Sequence, residues 1–228
     1  MNILAIDTSN YVMGVAIMKN GVVAGEYVTN IKKNHSIRLM PAIDQLMKET
    51  GTVPEDLDRI AVAHGPGSYT GVRIGLTTAK TMAWTLNIPV VGVSSLEAVA
   101  RQGRFFSGYV CPFFDARRGL VYTGLYDQDM KLAKEETNVL MADWLQGLKE
   151  LGAPVLFVSQ DISIHEELIR DTLGEQAVIP EEPYHFSRPS IVAQVGAMKE
   201  PGLIHELVPN YLRLPEAEAK WLEQQGKK

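Results

Sequence analysis

The sequence predicts an α/β protein of two lobes, each a mixed β-sheet with packed helices. Three observations carry this. Short apolar β-rich runs alternate with stretches of helical spacing. The resulting order, β-β-β-α-β-α-β-α, restarts in shorter form after Gly103. The chain has 228 residues, 46% of them hydrophobic. That is enough apolar material to build a core in each of two lobes of roughly 100 residues.

The first lobe is assigned to residues 1–103. Strands are expected at Ile3–Asp7, Val12–Met18 and Val22–Thr29, separated by Ser9-Asn10 and by Asn20-Gly21, a strong hairpin pair. Ile37, Met40, Ile43, Leu46 and Met47 fall at helical spacing, which predicts a helix over Ile37–Glu49. Proline is tolerated in a first turn, so regular helix should begin near Pro41. A strand at Arg59–Ala63 leads through the loop His64–Gly71 into a helix ending near Leu86. Val90–Val93 returns as a strand, and Ser94-Ser95-Leu96-Glu97 reads as a capping box opening a helix to Gln102.

The second lobe is assigned to residues 104–208, with a C-terminal helix over 209–228 rejoining the first lobe. Strands Tyr109–Asp115 and Leu120–Tyr126 flank a turn at Ala116–Gly119. Helix Ala142–Leu151, strand Val155–Ser159, helix Ile164–Leu173 and helix Pro189–Lys199 complete it, with Pro189 where a first helical turn accepts proline. The tail from Trp221 is polar.

Charge and cysteine usage narrow the function classes. The net charge of −5 and pI near 5.6 argue against a protein that grips nucleic acid unaided, because phosphate contacts supply most of such affinity. Lys32-Lys33, Arg117-Arg118 and Lys227-Lys228 are short and scattered, as solvated surface charge is. Cys111 is the single cysteine and sits in the apolar run Tyr109–Phe114, so a buried structural thiol is expected, in a reducing compartment. With no basic leader ahead of Ile3-Leu4-Ala5-Ile6 and no apolar run near ~18 residues, the expectation is a cytoplasmic protein without a membrane contact.

The most informative string is Gly65-Pro66-Gly67-Ser68-Tyr69-Thr70-Gly71-Val72-Arg73-Ile74-Gly75-Leu76. It lacks the Gly-Lys-Ser/Thr of a P-loop and is not GxGxxG in the dinucleotide register. On composition it is a tight strand-to-helix connection, or alternatively a set of backbone N–H groups that meets an anion at a helix N-terminus. The string as a whole closely resembles the hallmark of the TsaB (YeaZ) family. Three further strings agree in order and spacing: Ile6-Asp7-Thr8-Ser9, then His35-Ser36 with Leu39-Met40-Pro41, and Pro209-Asn210-Tyr211-Leu212-Arg213.

The resemblance implies a two-lobed fold of the actin/sugar-kinase/Hsp70-like (ASKHA) class. It also implies a role beside TsaD and TsaE in placing threonylcarbamoyl on N6 of adenosine 37, in tRNAs that read ANN codons. TsaD is the catalytic paralogue in that scheme. TsaB supports it as a heterodimer partner, forms homodimers when alone, and meets tRNA only through the complex. No catalytic residue and no metal ligand is assigned to this chain, and ATP and metal are expected on the partner subunits.

Several residues bear on that silence. Asp7-Thr8-Ser9 reads as a vestigial nucleotide loop, with Asp7 weighted toward turn formation over metal binding. An Asp-Gly-Gly loop is missing after residue 103, and the nearest turn, Arg118-Gly119, lacks a paired carboxylate. The TsaD-type His-x-x-x-His pair, which would put two ligands on one helix face, corresponds here to Ser95 and Val99. His35, His64, His165, His185 and His205 are dispersed; His35 and His64 read as capping or structural groups. Asp115-Ala116-Arg117 is a hairpin turn or, alternatively, a contact to a partner or nucleotide.

Function then falls to a surface. Gly71, Gly75, Thr78, Ala79 and Met82 recur on one helix face, while Val72, Leu76, Ala83 and Leu86 can face the sheet. The small-residue face packs either inside its own lobe or against the matching helices of TsaD, where Met40, Ile43 and Met47 would join it. The competing reading is an autonomous ATP-dependent kinase or carbamoyl-type transferase of the same fold. Direct RNA binding is disfavoured by the acidic balance.

Overall fold

The computed structural model describes residues 1–31 and 34–212. Lys32, Lys33 and residues 213–228 lie outside the described residues, and with them most of the helix expected over 209–228; Pro209–Leu212 is not helical.

Strands β1 (Asn2–Asp7), β2 (Val12–Lys19) and β3 (Val22–Asn30) form an antiparallel meander. Asn20 and Gly21 turn the β2–β3 hairpin with φ of 49° and 82°, the paired positive values that an Asn-Gly turn supplies. Strands β4 (Arg59–Ala63) and β5 (Val90–Val93) add in parallel beside β1, giving the order β3-β2-β1-β4-β5. The second sheet repeats the plan. Strands β6 (Tyr109–Asp115), β7 (Leu120–Tyr126) and β8 (Leu132–Leu140) are antiparallel, and β9 (Val155–Val158) and β10 (Ala177–Val178) extend them in parallel.

Side chains alternate across each strand, so both faces of the first sheet carry a core. Leu4, Ile6, Val15 and Ile17 meet helices α1 (His35–Glu49) and α2 (Tyr69–Leu86) on one side. Ile3, Ala5, Ala16 and Ala61 meet helix α6 (Pro189–Met198) on the other. This corrects the expected grouping, which placed α6 in the second lobe. The small faces explain the packing: a Cβ on Gly196 would lie 2.5 Å from the Ala61 Cβ, and one on Gly14 3.0 Å from the Pro189 ring. Arg59 closes α6, its guanidinium donating to the carbonyls of Gly196 at 2.7 Å and Lys199 at 2.8 Å.

In the second lobe, Phe113, Val121 and Phe157 pack on helices α4 (Met141–Lys149) and α5 (Ile162–Leu173). The opposite face, with Val110, Phe114 and Leu156, receives the short helix α3 (Ser95–Ala100) at the lobe boundary. Cys111 is buried, accepts from the Trp144 indole, and is pushed up to about 11 by burial.

Three local expectations need correction. Helix α1 begins at His35, six residues before Pro41, because Asn34 caps it by accepting from Ser36 N–H. The bond that Pro41 forgoes belongs to the carbonyl of Ile37, a residue 70% exposed, where water can serve it. At α3, Ser94 caps as expected, but Glu97 completes no capping box and instead pairs with Arg101 and Lys199. Strands β8 and β10 have no counterpart among the expected elements. β8 is a polar edge strand without a fully buried residue, and β10 has two residues.

Candidate functional site

The four family-like strings, the last of them followed as far as Leu212, converge at the carboxyl end of β1. Asp7 ends that strand, is 4% exposed, and has both carboxylate oxygens engaged. One accepts from the backbone and hydroxyl of Ser9, at 2.9 and 2.7 Å; the other accepts from the Ser187 hydroxyl at 2.7 Å. This is the turn-forming role expected of Asp7. Thr8 donates to the Gly71 carbonyl at 2.7 Å, and the Ser9 carbonyl accepts from Ser68 N–H at 2.6 Å. Ser68 in turn caps α2 by accepting from Gly71 N–H. The turn and the glycine-rich loop are therefore one interlocked unit.

The glycines of the loop follow from that closeness. A Cβ on Gly67 would lie 2.2 Å from the Ser9 carbonyl oxygen, one on Gly71 2.2 Å from that of Thr8, and one on Gly75 2.4 Å from the Thr8 hydroxyl. Pro66, which follows Gly65 through a cis peptide bond, is buried. His35 adds the α1 end by donating to the Asn10 carbonyl at 2.7 Å. The C-terminal string closes the assembly: Tyr211 stacks on Tyr69 with ring centres 5.3 Å apart, and Arg73 donates to the Tyr211 hydroxyl while lying 4.0 Å over the Tyr69 ring. Thr70 is exposed beside them.

This geometry overturns much of the expected partner surface. Gly71 and Gly75 lie against Thr8 and Ile6 at the end of β1 in their own lobe, and Ala79, Val72, Leu76 and Ala83 are buried on the same helix. Ile43 and Met47 are 1% and 6% exposed, inside the core under α1. Thr78 and Met82 are half-buried, and Met40 alone of the eight is exposed, at 49%. The periodicity was compatible with either orientation of α2; the contact with Thr8 decides it. The large apolar side chains that α1 and α2 do expose include Ile37 and Met40 on the first and Trp84, 75% exposed, near the end of the second.

The positions corresponding to metal ligands are also interior. The Ser95 hydroxyl accepts from Gly65 N–H at 3.2 Å, and Val99 belongs to the buried cluster that includes Leu156 and Phe114. Neither points to solvent, since each is 1% exposed.

Between the lobes lies a cleft of about 850 Å³, bounded by Asn10, His35 and Gly67–Thr70 on one side and by Asp115–Arg117 and Asp161 on the other. Ala116–Gly119 is the expected hairpin turn, with Leu120 N–H donating to the Arg117 carbonyl. The turn does, however, come with paired carboxylates. His165 donates to Asp115 at 3.0 Å, and Asp115 N–H donates to the Asp161 carboxylate at 3.0 Å. Burial, with the Asp115 carboxylate adding to it, raises the Asp161 carboxyl above its ordinary range. Asp161 and His165 carry no local sequence signal, because residues 46 and 50 positions away from Asp115 meet only in the folded lobe.

Two histidines tie stability to pH. His185 accepts from Ser159 N–H at 3.2 Å and donates to the Pro180 carbonyl at 2.9 Å, which requires the neutral ring. Burial is the main cause that lowers its pKa, and that of His64. The unfolded chain therefore takes up protons first, below the free value of about 6.5, so stability is held above that pH and lost as pH falls toward the folded values. Urea midpoints should be lower at about pH 5.5 than at about pH 7.5, and His185→Asn, which keeps an acceptor, should reduce the slope. Equal midpoints would contradict this.

Comparison with known proteins agrees with the geometry. Residues 23–221 match the family model described as TsaD: tRNA N6-adenosine threonylcarbamoyltransferase. The chain is 53% identical to the tRNA threonylcarbamoyladenosine biosynthesis protein TsaB of Bacillus subtilis, over 99% of this chain and 100% of that protein. It is similar in structure to YeaZ from Pseudomonas aeruginosa, at TM-score 0.77 and 25% identity, covering 92% of this chain and 99% of the other. The ROK hexokinase of Thermus thermophilus matches at TM-score 0.53 and 9% identity, over 87% and 99% of the two chains, a likeness of fold alone. The two lobes are thus an ASKHA-type fold, and the chain belongs to the TsaB (YeaZ) family of the tRNA threonylcarbamoyladenosine biosynthesis proteins.

Proposed function

We propose that this chain is a non-catalytic subunit in tRNA threonylcarbamoyladenosine formation, acting in the cytoplasm by binding and supporting TsaD, with TsaE as a further component. The observation that carries the reading is the state of the Asp7-Thr8-Ser9 turn. Its carboxylate, hydroxyl and carbonyl groups are committed to Ser9, Ser187, Gly71 and Ser68. A turn so occupied supports the fold rather than a phosphate. The exposed Ile37 and Met40 on α1 and Trp84 near the end of α2 suit a partner, since exposed aliphatic and aromatic side chains of this kind are enriched at interfaces. The same face serves a homodimer when TsaD is absent, and tRNA is reached through the complex.

One observation favours the second reading, an autonomous ATP-dependent kinase or carbamoyl-type transferase. The interlobe cleft is large enough for a small-molecule ligand, and Asp115 and Asp161 stand together in its wall. Isothermal titration of the isolated chain with ATP and Mg²⁺ separates the two. The subunit reading predicts no saturable heat, and no stoichiometric metal by elemental analysis. Saturable binding with turnover that Asp115→Asn abolishes would establish the enzyme instead.

A further inference from the structure

We propose that residues 207–212 form a latch that holds the two lobes at a fixed angle, with Asn210 as its bridging residue. The two sheets are connected through α3 and by the chain that returns to α6, an arrangement that leaves a hinge free to rotate unless another contact spans the boundary. The segment after α6 supplies such a contact.

On the first-lobe side the segment is seated by both its backbone and its side chains. Lys80 on α2 donates to the Leu207 carbonyl at 2.8 Å, His64 donates to the Val208 carbonyl at 3.2 Å, and Asn210 N–H donates to the His64 carbonyl at 2.7 Å. Two glycines make room for it. A Cβ on Gly92 would lie 2.6 Å from the Leu207 side chain, and one on Gly65 2.8 Å from the Asn210 carbonyl oxygen. A chain without regular secondary structure, half-buried at all but Val208, is therefore received by the sheet edge and the loop beneath it.

The second-lobe side is a single acceptor. The Asn210 amide donates to Glu136 of β8 at 3.3 Å. Glu136 also accepts from the Tyr126 hydroxyl of β7 at 2.6 Å and from the hydroxyl of Ser94, the residue that caps α3. One carboxylate thus gathers the second sheet, the start of the connecting helix and the latch. Leu212 continues the bridge by packing into the cluster of Leu96, Tyr126 and Leu156. Tyr211, between the two anchors, stacks on Tyr69 at the amino end of α2. The angle between the lobes, and so the width of the cleft, is mechanically joined to that end of α2.

The test is the distribution of distances between the lobes. Spin labels at Glu55→Cys and Gln146→Cys, both exposed and on opposite lobes, report it by pulsed electron resonance; Cys111 is buried and stays unlabelled. The full chain should give one narrow distance. Asn210→Ala keeps the backbone bond to His64 but loses the bridge, and should add a second, longer-distance population without a change of Tm. Glu136→Ala should do the same, whereas Glu136→Gln, which retains an acceptor, should keep the single distance. If Glu136→Ala fails to fold, Asn210→Ala decides alone. An unchanged distribution in Asn210→Ala overturns the latch, as would a broadening no different in Glu136→Gln from that in Glu136→Ala.

Discussion

Gly75→Leu should lower the stability of the isolated chain by about 3 kcal/mol, an overpacking penalty at the upper end of the usual range. The first side-chain atom already meets the Thr8 hydroxyl at 2.4 Å, and that hydroxyl is buried and bound to the Gly71 carbonyl. Moving it leaves a buried polar group without its partner, a loss of ~1–3 kcal/mol that is why the upper end of the range applies. The gain in helix propensity offsets less than about 1 kcal/mol. For a chain of this length the loss corresponds to a fall in Tm of roughly 6–12 °C, read from the thermal melt of the protein alone. Gly75→Ala isolates the clash and should fall in the same direction. A neutral or raised Tm in both variants would return this helix face to a partner.

Trp84→Glu should do the opposite: leave the melt of the isolated chain within about 0.5 kcal/mol of the wild type, as surface changes do, and weaken association with TsaD about 30-fold. That factor is the roughly 2 kcal/mol typical of an aromatic at an interface centre. Trp84 is 75% exposed on α2, and Ile37 on α1 is 70% exposed, so neither is held by its own lobe. Titration calorimetry against TsaD measures the change. Undiminished affinity in Trp84→Glu and in Ile37→Glu would remove the α1–α2 surface from the interface.

The plan of the fold was legible because its signals are local. Asn20-Gly21 marks a hairpin through backbone conformation, and the runs at Ile3–Asp7 and Arg59–Ala63 are apolar enough to mark buried strands. What was illegible depended on neighbours distant in sequence. Helix α6 belongs to the first sheet because Gly196 and Pro189 fit against Ala61 and Gly14, a match that chain order conceals. Strand β8 is a polar edge strand, and its Glu136 serves Ser94, Tyr126 and Asn210, partners that the local sequence does not show. The candidate site shows the same division. The strings around Asp7, Ser68 and Tyr211 meet in the fold, but a row of Gly71, Gly75 and Ala79 signals close approach without saying to what. The answer, Thr8 just beyond β1, is 63 residues from Gly71.

The central claim is that this chain acts through a partner and not through its own chemistry. Light scattering on the purified wild-type chain mixed with its cognate TsaD tests this most directly. The two should elute together at the summed mass of one copy of each, with the homodimer of this chain depleted. Two separate peaks, each at the mass it has alone across the range of concentrations tested, would contradict it.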